Sequence, residues 1–475
     1  MGIGRTSLAM VLAGTVAACG GGGSGGSTGG STGGGGTPTP TGGCSLSARQ
    51  DFVKTRIDSD YLFPDLVDNT VNKANYQTLQ SYIDALVAPA RAQRKDRFFT
   101  YVTSIAEENA YYNSGANAGF GIRLSYDTSQ NRVFVVEAFE SAPAFAAGID
   151  RGTEIVAIGP VGGQLQTVSS LMSTGGTQAV VDALGPSTAG TARVLRVNVN
   201  GTIKDLTVTK ADYSLDPVSN RYGAVILNDG GKRVGYVNLR TFITPANADL
   251  RTAFGTFRAQ GVTEVIVDLR YNGGGLVSVA EVLGDLMAAD KVGRVFGYVT
   301  YRPSKASRNE TDYFGSEANA IAATKIAFIG YGGTASASEL VANAFPPYLG
   351  ANTALVGGNT YGKPVGQEAF DKTECDDRLR LVTFKLENAN RQGEYFNGLA
   401  STFPKTCAAA DDITRQLGDP NETAIKAALD FLGGRTCTPI TVSASGQGTL
   451  GTRPSRDLLE PREPTAAQRE TPGLF

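Results

Sequence analysis

Residues 325–345 read KIAFIGYGGTASASELVANAF, and the fold turns on how this run divides. KIAFIG is a buried strand, YGGTASA a turn of small residues, and SELVANAF the start of a helix. A strand that turns sharply into a helix exposes the helix N-terminus, where backbone N–H groups point outward and can hold an oxyanion. Ser336 is therefore the candidate nucleophile, with Ser338 as its competitor two residues on. The alternative is a capping serine in a tight turn, since Ser is a favoured N-cap. A serine hydroxyl needs a base, and the chain contains no histidine. That absence excludes Ser-His-Asp and Cys-His arrangements and removes most zinc chemistry, so neither a metal nor a cofactor is expected.

Outward from this run the pattern alternates. RVGYVNLRTF (233–242) reads as a strand, PANADLRTAFGTFRAQG (245–261) as a helix closed by Gly261, and TEVIVDLR (263–270) as a buried strand. SVAEVLGDLMAA (278–289) is a further helix, and the whole region 213–440 reads as an α/β layer with its active loops at strand ends. Between strand and helix lies YNGGG (271–275), a glycine turn whose amides could serve a developing oxyanion or cradle a phosphate. Neither GxxxxGK[ST] nor GxGxxG is present, which argues against a nucleotide. Lysine is the remaining candidate base, provided burial or a neighbouring cation lowers its pKa. Lys363 in GGNTYGKPVGQ (357–367) is the best placed, in a glycine-rich turn after the strand TALVG.

Ahead of this layer, residues 116–212 change to short strands and glycine turns. SAPAFAAGIDRGTEI (141–155) matches a pattern carried by PDZ domains, with Thr153 where Asp is usual. The resemblance implies that Gly119, Phe120 and Gly121 form a loop receiving a peptide carboxylate beside an edge strand, with QAVVDALGP covering the groove. Residues 44–115 show apolar and aromatic positions at helical spacing, including Phe52, Ile57, Tyr61, Tyr82 and Leu86, and read as a small helical domain without chemistry. DRFFTYVTSIAEENAYYN (96–113) is read as continuing the helical pattern.

DLRYNGGG, GGTASASE and NTYGKPVGQ in that order, behind a PDZ-like segment, resemble the C-terminal processing peptidases, or tail-specific proteases. These are serine endopeptidases with a Ser/Lys dyad, and the resemblance covers most of residues 50–437. It implies Ser336 as nucleophile, Lys363 as base, and Gln367 as the residue that orients the lysine. It also implies the backbone N–H groups of Gly274 and Ala337 as oxyanion donors, and a supporting role for Glu339. Pro364 departs from the family turn by removing an N–H. The expected partners are protein or peptide substrates with apolar C-termini. Rival readings are a silent peptide-binding adaptor and a hydrolase of a non-protein ester or amide.

The flanks suggest location. MGIGRTSLAMVLAGTVAAC (1–19) has a basic start, a short apolar stretch and small residues before Cys19. It resembles a bacterial lipoprotein signal: residues 1–18 removed, Cys19 lipidated and held in a membrane, residues 19–43 a Gly/Ser/Thr/Pro tether. Gly20 is compatible with outer-membrane anchoring facing the periplasm. Of the other cysteines, Cys375 and Cys407 bracket one segment while Cys44 and Cys437 open and close the folded part. The expected disulfides are Cys375–Cys407 and Cys44–Cys437. Residues 441–475 read as a disordered tail, and a formal charge of −2 over 475 residues gives no reason to expect nucleic acid.

Overall fold

Glu264–Asp268, EVIVD, is buried on both faces, as β-branched runs in parallel sheets are. Val265 and Val267 pack with Phe254, Leu283 and Val341 on one side, while Ile266 packs with Ile425 and Ala428 on the other. In the computed structural model, which describes residues 42–442, 448–449 and 456–475, this strand is third in a six-stranded sheet. Ala224–Asp229 and Lys232–Asn238 form an antiparallel hairpin at its edge. Glu264–Asp268, Lys325–Gly330, Thr353–Gly357 and Thr406–Ala408 then add in parallel. Helices Ala246–Ala259, Val277–Met287 and Ala337–Ala344 cover one face and Thr423–Leu432 the other. The expected mixed α/β architecture is present. The signal segment, Cys19 and the tether to residue 41 lie outside the described residues.

A second sheet places Asp377–Glu387 between Tyr101–Ser104 and Val295–Tyr301, with Val365–Lys372 also pairing to it. Helices Leu46–Asp60 and Leu79–Leu86 bury Val53, Ile57, Ile83 and Leu86 against Val365, Leu379 and Leu381 of this sheet. The stretch read as continuously helical therefore divides: Tyr101–Ser104 is a strand and Ile105–Ser114 the helix. Its aromatic and β-branched residues suit a half-buried strand, and pairing with Arg380 to Asp377 outweighs helical spacing.

A third sheet has Asp457–Leu458, Ile122–Asp127, Arg132–Ala138, Glu154–Pro160, Ala192–Val199 and Thr202–Thr209 in order, with Gln166–Thr167 pairing Glu154–Pro160. Val168–Leu184 packs across it, broken at Gly176, where φ is +67°. Residues 456–475 are not a loose tail. Leu458 pairs with Ser125, helix Ala466–Glu470 follows, and Leu459 and Phe475 are buried in the core of this sheet. Three apolar side chains among the last residues (Leu459, Leu474 and Phe475) supply what the Gly/Pro/Arg/Glu composition hides.

Both disulfide expectations are corrected. The bonds are Cys44–Cys375, with Cα atoms 5.5 Å apart, and Cys407–Cys437, at 5.3 Å. Nearness in sequence misled because Cys375 caps the 365–387 hairpin of the second sheet whereas Cys407 lies in the edge strand of the first. That edge faces residues 437–440, where the Ala408 N–H donates to Thr438 O. Non-reducing peptide mapping should recover these two cross-links, and Cys375→Ser should lower stability by about 2–5 kcal/mol in denaturant melts. Recovery of a Cys375–Cys407 peptide would refute the assignment.

Candidate active site

Ser336 caps the helix Ala337–Ala344 just beyond the strand Lys325–Gly330. Its backbone sits at φ +57° and ψ −116°, a region that side chains avoid and that persists only where neighbours hold it. Ser336 is half-buried, while Ser338 is fully buried and donates its hydroxyl to Asn272 O at 3.0 Å. Ser338 therefore serves structure, which leaves Ser336 as the exposed hydroxyl.

The glycine turn is locked against it. Asn272 accepts from the Ala335 N–H at 3.1 Å and donates its Nδ2 to Leu239 O at 2.8 Å. Gly274 has φ +120°, and a Cβ there would stand 2.7 Å from Ser336 Cβ and 3.2 Å from Ala337 N, so only glycine fits. Of the two expected oxyanion donors, Ala337 opens the helix, where N–H groups lack intrahelical acceptors. The Gly274 N–H instead donates to Asn272 Oδ1 at 2.9 Å. The adjacent Gly273 N–H donates to the backbone carbonyl of Glu470 at 3.1 Å. Arg270, which precedes the turn, is buried between Asp268 and Glu422 and anchors the strand end.

Glu339 joins the two halves of the site. Fully buried, its Oε2 accepts from the N–H of Ser336 at 3.1 Å and of Lys363 at 2.7 Å. Its Oε1 accepts from the Gly362 N–H at 2.7 Å and from Thr360 Oγ1 at 2.6 Å. Burial pushes its carboxyl pKa up, and these four donors oppose that by favouring the charged acceptor.

Lys363 reaches its place because Gly362, at φ +91°, lets the chain pass within 2.5 Å of Phe396 O where a Cβ would stand. Its Nζ donates to Gln367 Oε1 at 2.6 Å and lies 5.2 Å from the Phe99 ring centre. Gln367 Nε2 in turn donates to Phe99 O, so the expected orienting glutamine is itself fixed from the N-terminal region. Phe99, Asp96 beneath it and Arg97, which donates to Gly362 O at 2.8 Å, were invisible as site residues in the sequence. Nothing in RKDRFF marks them, because they act only through tertiary contact.

The loop Gly119-Phe120-Gly121 precedes the strand Ile122–Asp127, whose outer side pairs with Asp457–Leu458 rather than standing open as an edge. Gly121, at φ +74°, would place a Cβ 1.8 Å from that of Ala142, and the Phe120 ring is buried in the sheet's core. The outward amides are those of Gly121 and Ile122, both donating to Phe475 O, at 2.8 and 3.1 Å. Among the described residues no group of His, Cys, Asp and Glu could hold a metal ion.

Burial lowers the pKa of Lys363 below its ordinary 10.5. Glu470, Asp96 and Glu339 oppose that shift and Arg380 adds to it. A lowered pKa enlarges the neutral fraction that a base requires. Chemical-shift titration of labelled lysine, assigned with Lys363→Arg, should show its midpoint below 10.5; a midpoint at or above that value would contradict this environment.

Residues 233–402 match the model of peptidase family S41. A chloroplastic C-terminal processing peptidase of Tetradesmus obliquus is 30% identical over 279 residues, 55% of this chain and 54% of that protein. A carboxyl-terminal-processing protease of Synechocystis sp. is 25% identical over 324 residues, 68% of this chain and 70% of that one. This chain thus spans about half the length of the first relative and 70% of the second. A solved structure from Bacteroides fragilis described as an S41 protease shares the fold, with TM-score 0.62 and 23% identity over 81% of this chain and 97% of that one.

Proposed function

Because residues 233–402 carry a peptidase family S41 domain, we propose that this chain is a serine endopeptidase in which Lys363 is the base for Ser336. The observation that carries the reading is the Glu339 carboxylate, which holds the backbones of Ser336 and Lys363 through two N–H groups on one oxygen. Neutral Lys363 takes the Ser336 proton as Oγ attacks a peptide carbonyl. The resulting oxyanion is held by the Ala337 N–H and by that of Gly274 once it leaves Asn272 Oδ1. Collapse expels the amine, which receives the proton from the lysine ammonium. Water then hydrolyses the acyl-enzyme, with Lys363 as base again. Gln367, fixed by Phe99 O, keeps Nζ on line.

The substrates are exported proteins with apolar C-terminal tails, held by strand addition along Ile122–Asp127 with the loop 119–121 at the end of the groove. The relatives' names, which refer to processing of carboxyl termini, support this class. Two disulfides suit an oxidising compartment, in keeping with export and with lipidation of Cys19. Metabolic labelling with a fatty acid should mark the full chain and miss Cys19→Ala; equal labelling would refute the anchor.

Ser336→Ala and Lys363→Ala should each lower kcat on a protein with an apolar tail by about a thousandfold or more. Binding of that protein should survive both changes. Wild-type rates in Ser336→Ala would overturn the proposal.

A further inference from the structure

The strand Ile122–Asp127 and the glycine turn already carry a peptide, and it is the chain's own. Residues 471–475, TPGLF, run antiparallel to Ile122–Asp127. The Leu124 N–H donates to Gly473 O at 2.8 Å and the Phe475 N–H to Ile122 O at 2.9 Å. Phe475 O takes the Gly121 and Ile122 amides, and its ring enters the core beside Phe120, leaving 3% of the residue exposed. This is strand addition with an apolar side chain in the pocket, the mode by which such grooves take peptides.

The same segment crosses the catalytic loop on its way there. Glu470 O accepts the Gly273 N–H, and a Cβ at Gly273 would meet Glu470 O at 2.9 Å and Pro472 Cδ at 3.0 Å. Tyr111 and Arg123 pin the crossing: Tyr111 Oη lies 2.7 Å from Thr471 Oγ1 and Arg123 Nη1 donates to Pro472 O at 3.0 Å. Arg123 also donates to Tyr271 O, at the head of the glycine turn. The buried Glu470 carboxylate is the largest opposing charge acting on Lys363 and favours its ammonium form, the wrong state for a base.

Resting on the peptidase reading above, we infer that residues 465–475 are a resident inhibitory ligand. They fill the peptide groove and lie against the active-site turn, and a substrate segment of like chemistry, carrying an aliphatic-aromatic pair such as Leu474-Phe475, must displace them. The reason is exclusion: residues 457–459 and 473–475 together take the outer side of Ile122–Asp127, and the Gly273 amide takes one carbonyl.

The test uses the full chain and two changes confined to the segment. Phe475→Asp puts a charge in the apolar pocket. Gly473→Val leaves the ring in place but asks for a side chain at φ +82°, 2.9 Å from Leu124 O. Circular dichroism checks that each variant folds. Hydrogen exchange at the Gly121 and Ile122 amides reads docking, and cleavage of a short internally quenched peptide that cannot reach the groove reads activity.

In the variants these amides should lose protection and kcat/KM should rise about tenfold, as expected if roughly nine-tenths of wild-type molecules are docked. Amides exchanging freely in wild type would overturn the docking. Lost protection with unchanged cleavage would overturn the inhibition and leave the peptidase reading intact. Lost protection with no cleavage by any form would instead overturn the peptidase reading, and the inhibition with it.

Discussion

One buried carboxylate organises this molecule. Among the described residues Glu339 has no charged hydrogen-bond partner; four donors surround it, three of them backbone N–H groups from two separate turns. A buried carboxylate is tolerated only where its oxygens are satisfied, so these turns must come together for either to be stable. The unusual backbone of Ser336 and the turn that carries Lys363 are therefore not independent features. The glycines at 274 and 362 follow from the same demand, since each lies where a Cβ would strike the opposite turn or its support.

Two arginine clusters set the third sheet against this site. Arg123 and Arg240 share Glu137, all three fully buried, and Arg240 reaches Glu140 as well. Arg151 and Arg270 share Asp411, with Tyr271 donating to the same carboxylate. Such pairs gain little net stability over apolar packing but tolerate few orientations. Arg123 donates to Tyr271 O and Arg151 to Tyr271 Oη, so both clusters meet the head of the glycine turn. The lysine side is braced differently, by Gln367 held from Phe99 in the N-terminal region, so Ser336 and Lys363 rest on elements far apart in the chain.

The sequence was most legible where chemistry and local geometry coincide. KIAFIG before TASASE declares a strand, a turn and a helix, and the absence of histidine leaves lysine as the candidate base. Glu339 was legible only as a supporting residue by resemblance; its role as the bridge needs the fold. Tyr101–Ser104 was misread because helical spacing of aromatics cannot reveal a partner nearly 280 residues away, at Asp377–Arg380. The disulfides failed for the same reason, as neighbours in sequence belong to different sheets. Residues 456–475 were hidden by composition: a few apolar side chains suffice when a groove is already shaped for them.

The central claim is that Ser336 is activated by Lys363 within the frame Glu339 provides. Reaction with a fluorophosphonate, followed by peptide mass spectrometry across a pH series, tests it most directly. The account predicts a single label on Ser336, with a rate that rises with pH through a midpoint below 10.5 and is lost in Lys363→Ala. A label on Ser338, or equal labelling of Ser336 without Lys363, would contradict it.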